Sequence, residues 1–64
     1  MKYNVGQTIK ITSEPYQREY LYGKLGIIIK TAKGIMGSPI YQILVQGYPN
    51  KLYHIQEEDI EDKL

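Results

Sequence analysis

The chain has no cysteine, no tryptophan and no phenylalanine, and a single histidine, His54. Without thiols no disulfide can staple it. With one imidazole and no thiolate, a zinc site of Cys or His ligands would need a partner chain. No apolar run approaches the roughly 20 residues of a membrane-spanning helix. The longest is Leu25 to Ile29, broken by Gly26. Met1-Lys2-Tyr3-Asn4 is not followed by the apolar stretch of a signal peptide. These absences lead us to expect a soluble, cytoplasmic protein with no cofactor, no metal and no membrane contact.

What is present is small and strand-like. The 64 residues suffice for one domain, residues 1–64. A chain of this size buries only roughly 60% of its unfolded surface, so a small core or a partner must hold it together. The apolar residues are chiefly Ile, Leu and Val, joined by seven Tyr. Such residues suit a half-buried pleated surface. Charge is uneven along the chain. Residues 1–51 carry seven cations against two carboxylates, a net of +5, and residues 52–64 carry one against five, a net of −4. A basic body permits an anionic partner. The cations are scattered singly, however, which equally describes an ordinary solvated surface.

Apolar periodicity predicts five short strands. Val5, Ile9 and Ile11 share one parity over Val5–Thr12, with Lys10 and Thr12 on the other. Gly6 marks a turn or bulge at its start. Ser13 to Tyr22 is a ten-residue polar connection holding Pro15 and three tyrosines; long loops in compact domains are often functional. A second strand spans roughly residues 24–32. Leu25, Ile27 and Ile29 lie on one face and Ile28 on the other, so a central strand that bends is expected, with Gly26 permitting close packing or a bulge. Lys33 to Pro39 is a Gly/Pro-rich hairpin connection containing Ile35 and Met36. Ile40–Gln46 and Lys51–Ile55 follow as strands, separated by the turn Gly47-Tyr48-Pro49-Asn50. Gln56–Asp59 reads as one helical turn, and Ile60–Leu64 as a last strand or a tail. No segment carries the 3.6-residue apolar period of a packed helix. The expected fold is all-β, a small five-stranded barrel with a short helical turn before the last strand.

Val5-Gly6-x-x-Ile9-x-Ile11, Gly23-x-x-Gly26-x-Ile28, Tyr41-x-Ile43-x-Val45-x-Gly47 and Glu57-Glu58-Asp59-Ile60-Glu61 together resemble the SH3-like small barrel. Two groups within it are most similar: the KOW-type modules of transcription and translation factors, and the short SH3-like proteins of tailed phages. The second likeness is nearer, in length and in the acidic-aliphatic ending. It implies a viral or bacterial protein, acting in the host cytoplasm if phage-encoded. The glycine and aliphatic spacing describes the barrel, not its ligand. True SH3 domains read proline-rich peptides with a conspicuous tryptophan, which is missing here.

Catalysis finds no support in the residues. Ser13 and Ser38 lack a nucleophile-elbow context, and His54 reads as a rim histidine. The carboxylates of residues 57–62 do not have EF-hand spacing and read as a solvated turn. Gly23-x-x-Gly26 lacks the Lys-Ser/Thr and helix of a phosphate loop. No enzyme is expected. Binding has more to work with. Tyr16, Arg18, Tyr20, Tyr22 and Lys24 interleave aromatics with cations. Tyr and Arg are the usual interface anchors. Ile35 and Met36 at a hairpin tip would add a contact point if exposed, or plug the barrel if folded back. Tyr48 completes the expected partner-binding set. A protein-docking or assembly role, including self-association through open edges, is the first expectation. The alternative is a KOW-like module that stacks single-stranded nucleic acid on its tyrosines.

Overall fold

The computed structural model describes residues 2–13 and 18–63. Five antiparallel strands form one sheet: β1 (Thr8–Ile11), β2 (Leu25–Lys33), β3 (Pro39–Val45), β4 (Leu52–Gln56) and β5 (Ile60–Asp62). Short 3-10 turns occupy Glu19–Leu21, Ile35–Gly37 and Glu57–Asp59. The expected class, strand count and helical turn before the last strand all hold. The sheet order is β4-β3-β2-β1-β5, so the ladder is open, with β4 and β5 as its edges. The barrel expected from the sequence is therefore not closed by strand pairing among the described residues. Instead the sheet curls over its core. Ile55 from one edge strand and Ile60 from the other enter the same buried cluster as Ile9, Ile11, Ile28, Ile43 and Val45.

The strand parities explain that core. Ile9 and Ile11 of β1, Tyr41, Ile43 and Val45 of β3, and Tyr53 and Ile55 of β4 all point inward. Alternation by two places each set on one face of its pleated strand. Val5 departs from the expected pattern and is 62% exposed. The cause is Gly6, whose φ of 89° turns the chain before β1 begins. Its N–H then donates to the Ile28 carbonyl at 2.7 Å, and Gln7 accepts from the Ile28 N–H at 3.0 Å. The period-2 count through Val5 is broken at that turn, and β1 starts later than the pattern predicts.

Of the two alternatives expected at Gly26, close packing or a bulge, β2 shows the first there and has its bulge elsewhere. Gly26 is the close approach. A Cβ there would lie 2.5 Å from Ile43 Cγ2 and 3.0 Å from the Leu44 carbonyl oxygen. The bulge falls further on: Ile28 pairs with Ile43 and Lys30 with Gln42, leaving Ile29 as the additional residue. Strict alternation would have placed Lys30 on the buried face of Ile28. The inserted residue reverses the parity and keeps the ammonium group in water.

Met36 is 96% exposed at the β2–β3 hairpin. It does not fold back into the core. Its φ of 69° is left-handed, a conformation disfavoured for a side chain by roughly 1–2 kcal/mol. The neighbouring Gly37, at φ 78°, accommodates the same turn without that penalty.

Candidate functional site

The loop after β1 is tied down by one residue. Leu21 is fully buried in the 3-10 turn Glu19–Leu21. Its N–H donates to the Arg18 carbonyl at 2.9 Å, and the Gly23 N–H donates to the Ile11 carbonyl at 2.8 Å. With Leu21 turned inward, its neighbour Tyr20 projects outward, 48% exposed. The turn after β3 supplies Tyr48, half-buried against the core. β4 supplies Tyr53, which is 4% exposed.

These three tyrosines, far apart in the chain, converge. Ring centroids lie 5.4 Å apart for Tyr20 and Tyr48, 6.3 Å for Tyr20 and Tyr53, and 6.1 Å for Tyr48 and Tyr53. All three pairs are tilted or edge-to-face, the arrangement that the ring quadrupole favours. The Tyr20 and Tyr53 hydroxyls are hydrogen-bonded at 3.2 Å. Two cations approach the Tyr53 ring. The Arg18 guanidinium carbon is 5.4 Å from its centroid and Lys51 Nζ is 5.1 Å from it. Arg18 Nη1 also donates to the His54 carbonyl oxygen at 3.0 Å. That bond fixes the loop to the outer edge of β4 and covers a carbonyl that an edge strand would otherwise leave open. The hydrogen bond with Tyr20, then burial, hold the Tyr53 hydroxyl above the usual tyrosine pKa; Arg18 opposes them.

Of the residues singled out from the sequence, Arg18, Tyr20 and Tyr48 come together here. Tyr22 is 57% exposed and makes none of these ring contacts. Lys24 is exposed just before β2. Met36 belongs to a different surface: β3 starts at its hairpin and ends at the turn bearing Tyr48, about 20 Å away along the strand. Ile35 lies in the same hairpin turn as Met36. Tyr16, together with Pro15, lies outside the described residues. Tyr53, which the sequence places with the rim tyrosines of a docking surface, forms the buried floor of the cluster, and Lys51 is the member that loop-based reasoning passed over. The signal for Lys51 was its shared parity with Tyr53 and Ile55, which puts all three on one face.

The site offers apolar ring area, hydroxyl groups and two cations on a floor locked by β4. It can hold a ligand that is partly apolar and partly anionic. His54, the single imidazole, is exposed and contributes its backbone carbonyl. No helix among the described residues is long and apolar enough to cross a membrane. Compared with family models, curated proteins and solved structures, the chain finds no match in any of the three. The fold and the site therefore define a small all-β protein, an open five-stranded antiparallel sheet compatible with an SH3-like fold.

Proposed function

We propose that this chain is a non-enzymatic docking module that binds a segment of a protein partner at the Arg18–Tyr20–Tyr48–Tyr53 cluster. The observation that carries the reading is convergence. Three tyrosines from three segments meet, with Arg18 anchored on the β4 backbone. Tyr and Arg held rigidly in this way are typical interface anchors, because little side-chain freedom is left to lose on binding. A viral or bacterial origin and a cytoplasmic setting rest on the resemblance to short SH3-like phage proteins. Met36 provides a separate, protruding contact for assembly.

The alternative, a KOW-like module for single-stranded nucleic acid, draws support from Arg18 and Lys51 beside the tyrosines. Both cations are engaged with the Tyr53 ring, however, which leaves Tyr20 as the principal open platform. Affinity capture with and without nuclease separates the two readings. The docking reading expects a stoichiometric protein that survives nuclease and is lost with Tyr20→Ala. Recovery unaffected by Tyr20→Ala would remove the site assignment. Nuclease-sensitive, salt-sensitive recovery would move the assignment to nucleic acid.

A further inference from the structure

We propose that the outer face of the sheet holds a second binding site, an apolar groove with a lysine rim that accepts an acidic, aliphatic peptide segment of a partner protein. Antiparallel sheets commonly show water a polar outer face. This one does not. Ile27 is 43% exposed, Ile29 43% and Leu52 40%. Register aligns Ile27 and Leu52: Thr8 pairs with Ile27, Ile27 with Leu44, and Leu44 with Leu52, so one largely apolar row crosses β1, β2, β3 and β4, while Ile29, the bulge residue, lies outside it. A groove of about 400 Å³ lies over the Thr8–Ile27–Leu44 part of this row, lined chiefly by Thr8, Leu25, Ile27, Leu44, Gln46 and Pro49. A mostly apolar cleft of this volume falls within the range of ligand-binding clefts.

The charges around the groove say what fits it. Lys10 stands directly across from Leu25. Lys63 continues the apolar row on the β5 side, its N–H donating to the Thr8 carbonyl at 3.3 Å. Lys30 takes the next outer position, opposite Gln42, because of the bulge at Ile29. Against these three, the strand ladders place one carboxylate on this face, Glu61 opposite Lys10. Glu57 is turned away to the Tyr41 hydroxyl and the Lys2 N–H. The excess of lysines complements an occupant that carries carboxylates beside its aliphatic side chains.

Other occupants fit less well. The most protruding apolar side chain of a second copy is Met36, and it follows Lys30 and Lys33, which would bring like charge to a lysine rim. The chain's own acidic-aliphatic stretch cannot serve, since Ile55 and Ile60 are in the core. A bilayer needs protruding apolar groups, and here Leu25, Ile27 and Leu44 line a concavity. The groove has no aromatic lining on which a base could stack.

The test is a titration of isotope-labelled protein, followed by amide shifts, with two soluble ten-residue peptides. One has three leucines spaced by glutamate and serine; the other has lysine in place of glutamate. The glutamate peptide is expected to saturate and to move the amides of Thr8, Ile27, Leu44 and Gln46. Its affinity should fall at least tenfold in Ile27→Ser and in Lys10→Glu, and the lysine peptide should bind at least tenfold more weakly. Tyr20→Ala should leave this binding unchanged, which separates the groove from the tyrosine cluster. Lys10→Glu sets like charge opposite Glu61, so Lys30→Glu, an exposed position opposite Gln42, should weaken binding likewise and reads it even if the other two variants weaken the fold. The proposal is overturned by equal binding of both peptides, by no saturable shift, or by shifts centred on Tyr20 and Tyr48. It is also overturned if the groove amides instead respond to protein concentration, marking a second copy, or to phosphatidylserine vesicles.

Discussion

The Tyr41 hydroxyl donates a hydrogen bond to the Glu57 carboxylate at 2.7 Å and accepts one from the Tyr3 N–H at 3.1 Å. Tyr41 is fully buried in β3, Glu57 opens the turn before β5, and Tyr3 precedes β1. The same Glu57 oxygen accepts from the Lys2 N–H at 3.0 Å. One phenol and one carboxylate thus join the N-terminal segment, the central strand and the last turn. The Tyr3 ring packs edge-on against Tyr41 at 5.7 Å, and its hydroxyl donates to the Ile60 carbonyl at 3.3 Å.

Removing that phenol tests the join. Tyr41→Phe keeps the ring but leaves the Tyr3 N–H without its acceptor. A stability loss of about 1–2 kcal/mol is expected, the usual result of orphaning a buried donor. Urea unfolding followed by far-UV circular dichroism measures it, and an unchanged midpoint would show that the network contributes nothing net.

Acid should weaken the same join. The Tyr41 hydrogen bond, then the Lys2 N–H, hold the Glu57 pKa below the usual glutamate value. A carboxylate with a depressed folded pKa stabilises fully above its unfolded value. That contribution disappears as pH falls through the folded one. The urea midpoint is therefore expected to drop as pH falls through and below the usual glutamate range. In Glu57→Gln this part of the dependence should be flatter. Identical pH profiles for the two proteins would contradict it.

Alkali acts through the tyrosines. Burial, then the hydrogen bond to Glu57, push the Tyr41 hydroxyl above the ordinary tyrosine value. Here the sign is opposite. The stabilisation is complete below the unfolded pKa and is lost as pH rises through the raised folded one. Absorbance titration at the tyrosinate band, compared with Tyr41→Phe, should show Tyr41 ionising above the ordinary tyrosine range. Because Arg18 lowers the Tyr53 pKa, Arg18→Ala should move Tyr53 further up. A downward movement would mean that the cation does not act on that ring.

Gly26→Ala probes packing alone. The new methyl would meet Ile43 Cγ2 at 2.5 Å and, less forgivingly, the Leu44 carbonyl oxygen at 3.0 Å. Backbone cannot rotate aside as a side chain can, so β2 and β3 must separate slightly. Overpacking of this kind destabilises by about 1–3 kcal/mol. Thermal unfolding provides the measurement, and a neutral substitution would indicate that the two strands have slack at this point.

The sequence by itself determined the all-β class, the order of the strands along the chain and most of the inward-facing residues. Those follow from local rules: period-2 alternation, β-branched and tyrosine content, and Gly/Pro punctuation. Val5 escaped those rules because a single positive-φ glycine interrupts the alternation. The tertiary structure alone decided which tyrosines act together. Tyr20, Tyr48 and Tyr53 sit in different segments, and only the burial of Leu21 and the curl of the sheet bring their rings within 5.4–6.3 Å. It also decided the outer groove. An exposed Ile27 and a buried Ile28 look alike in composition, and which of them faces the core depends on cross-strand register, while the bulge at Ile29 sets the side of Lys30. Register arises from contacts between distant residues, and no local pattern in the chain contains it.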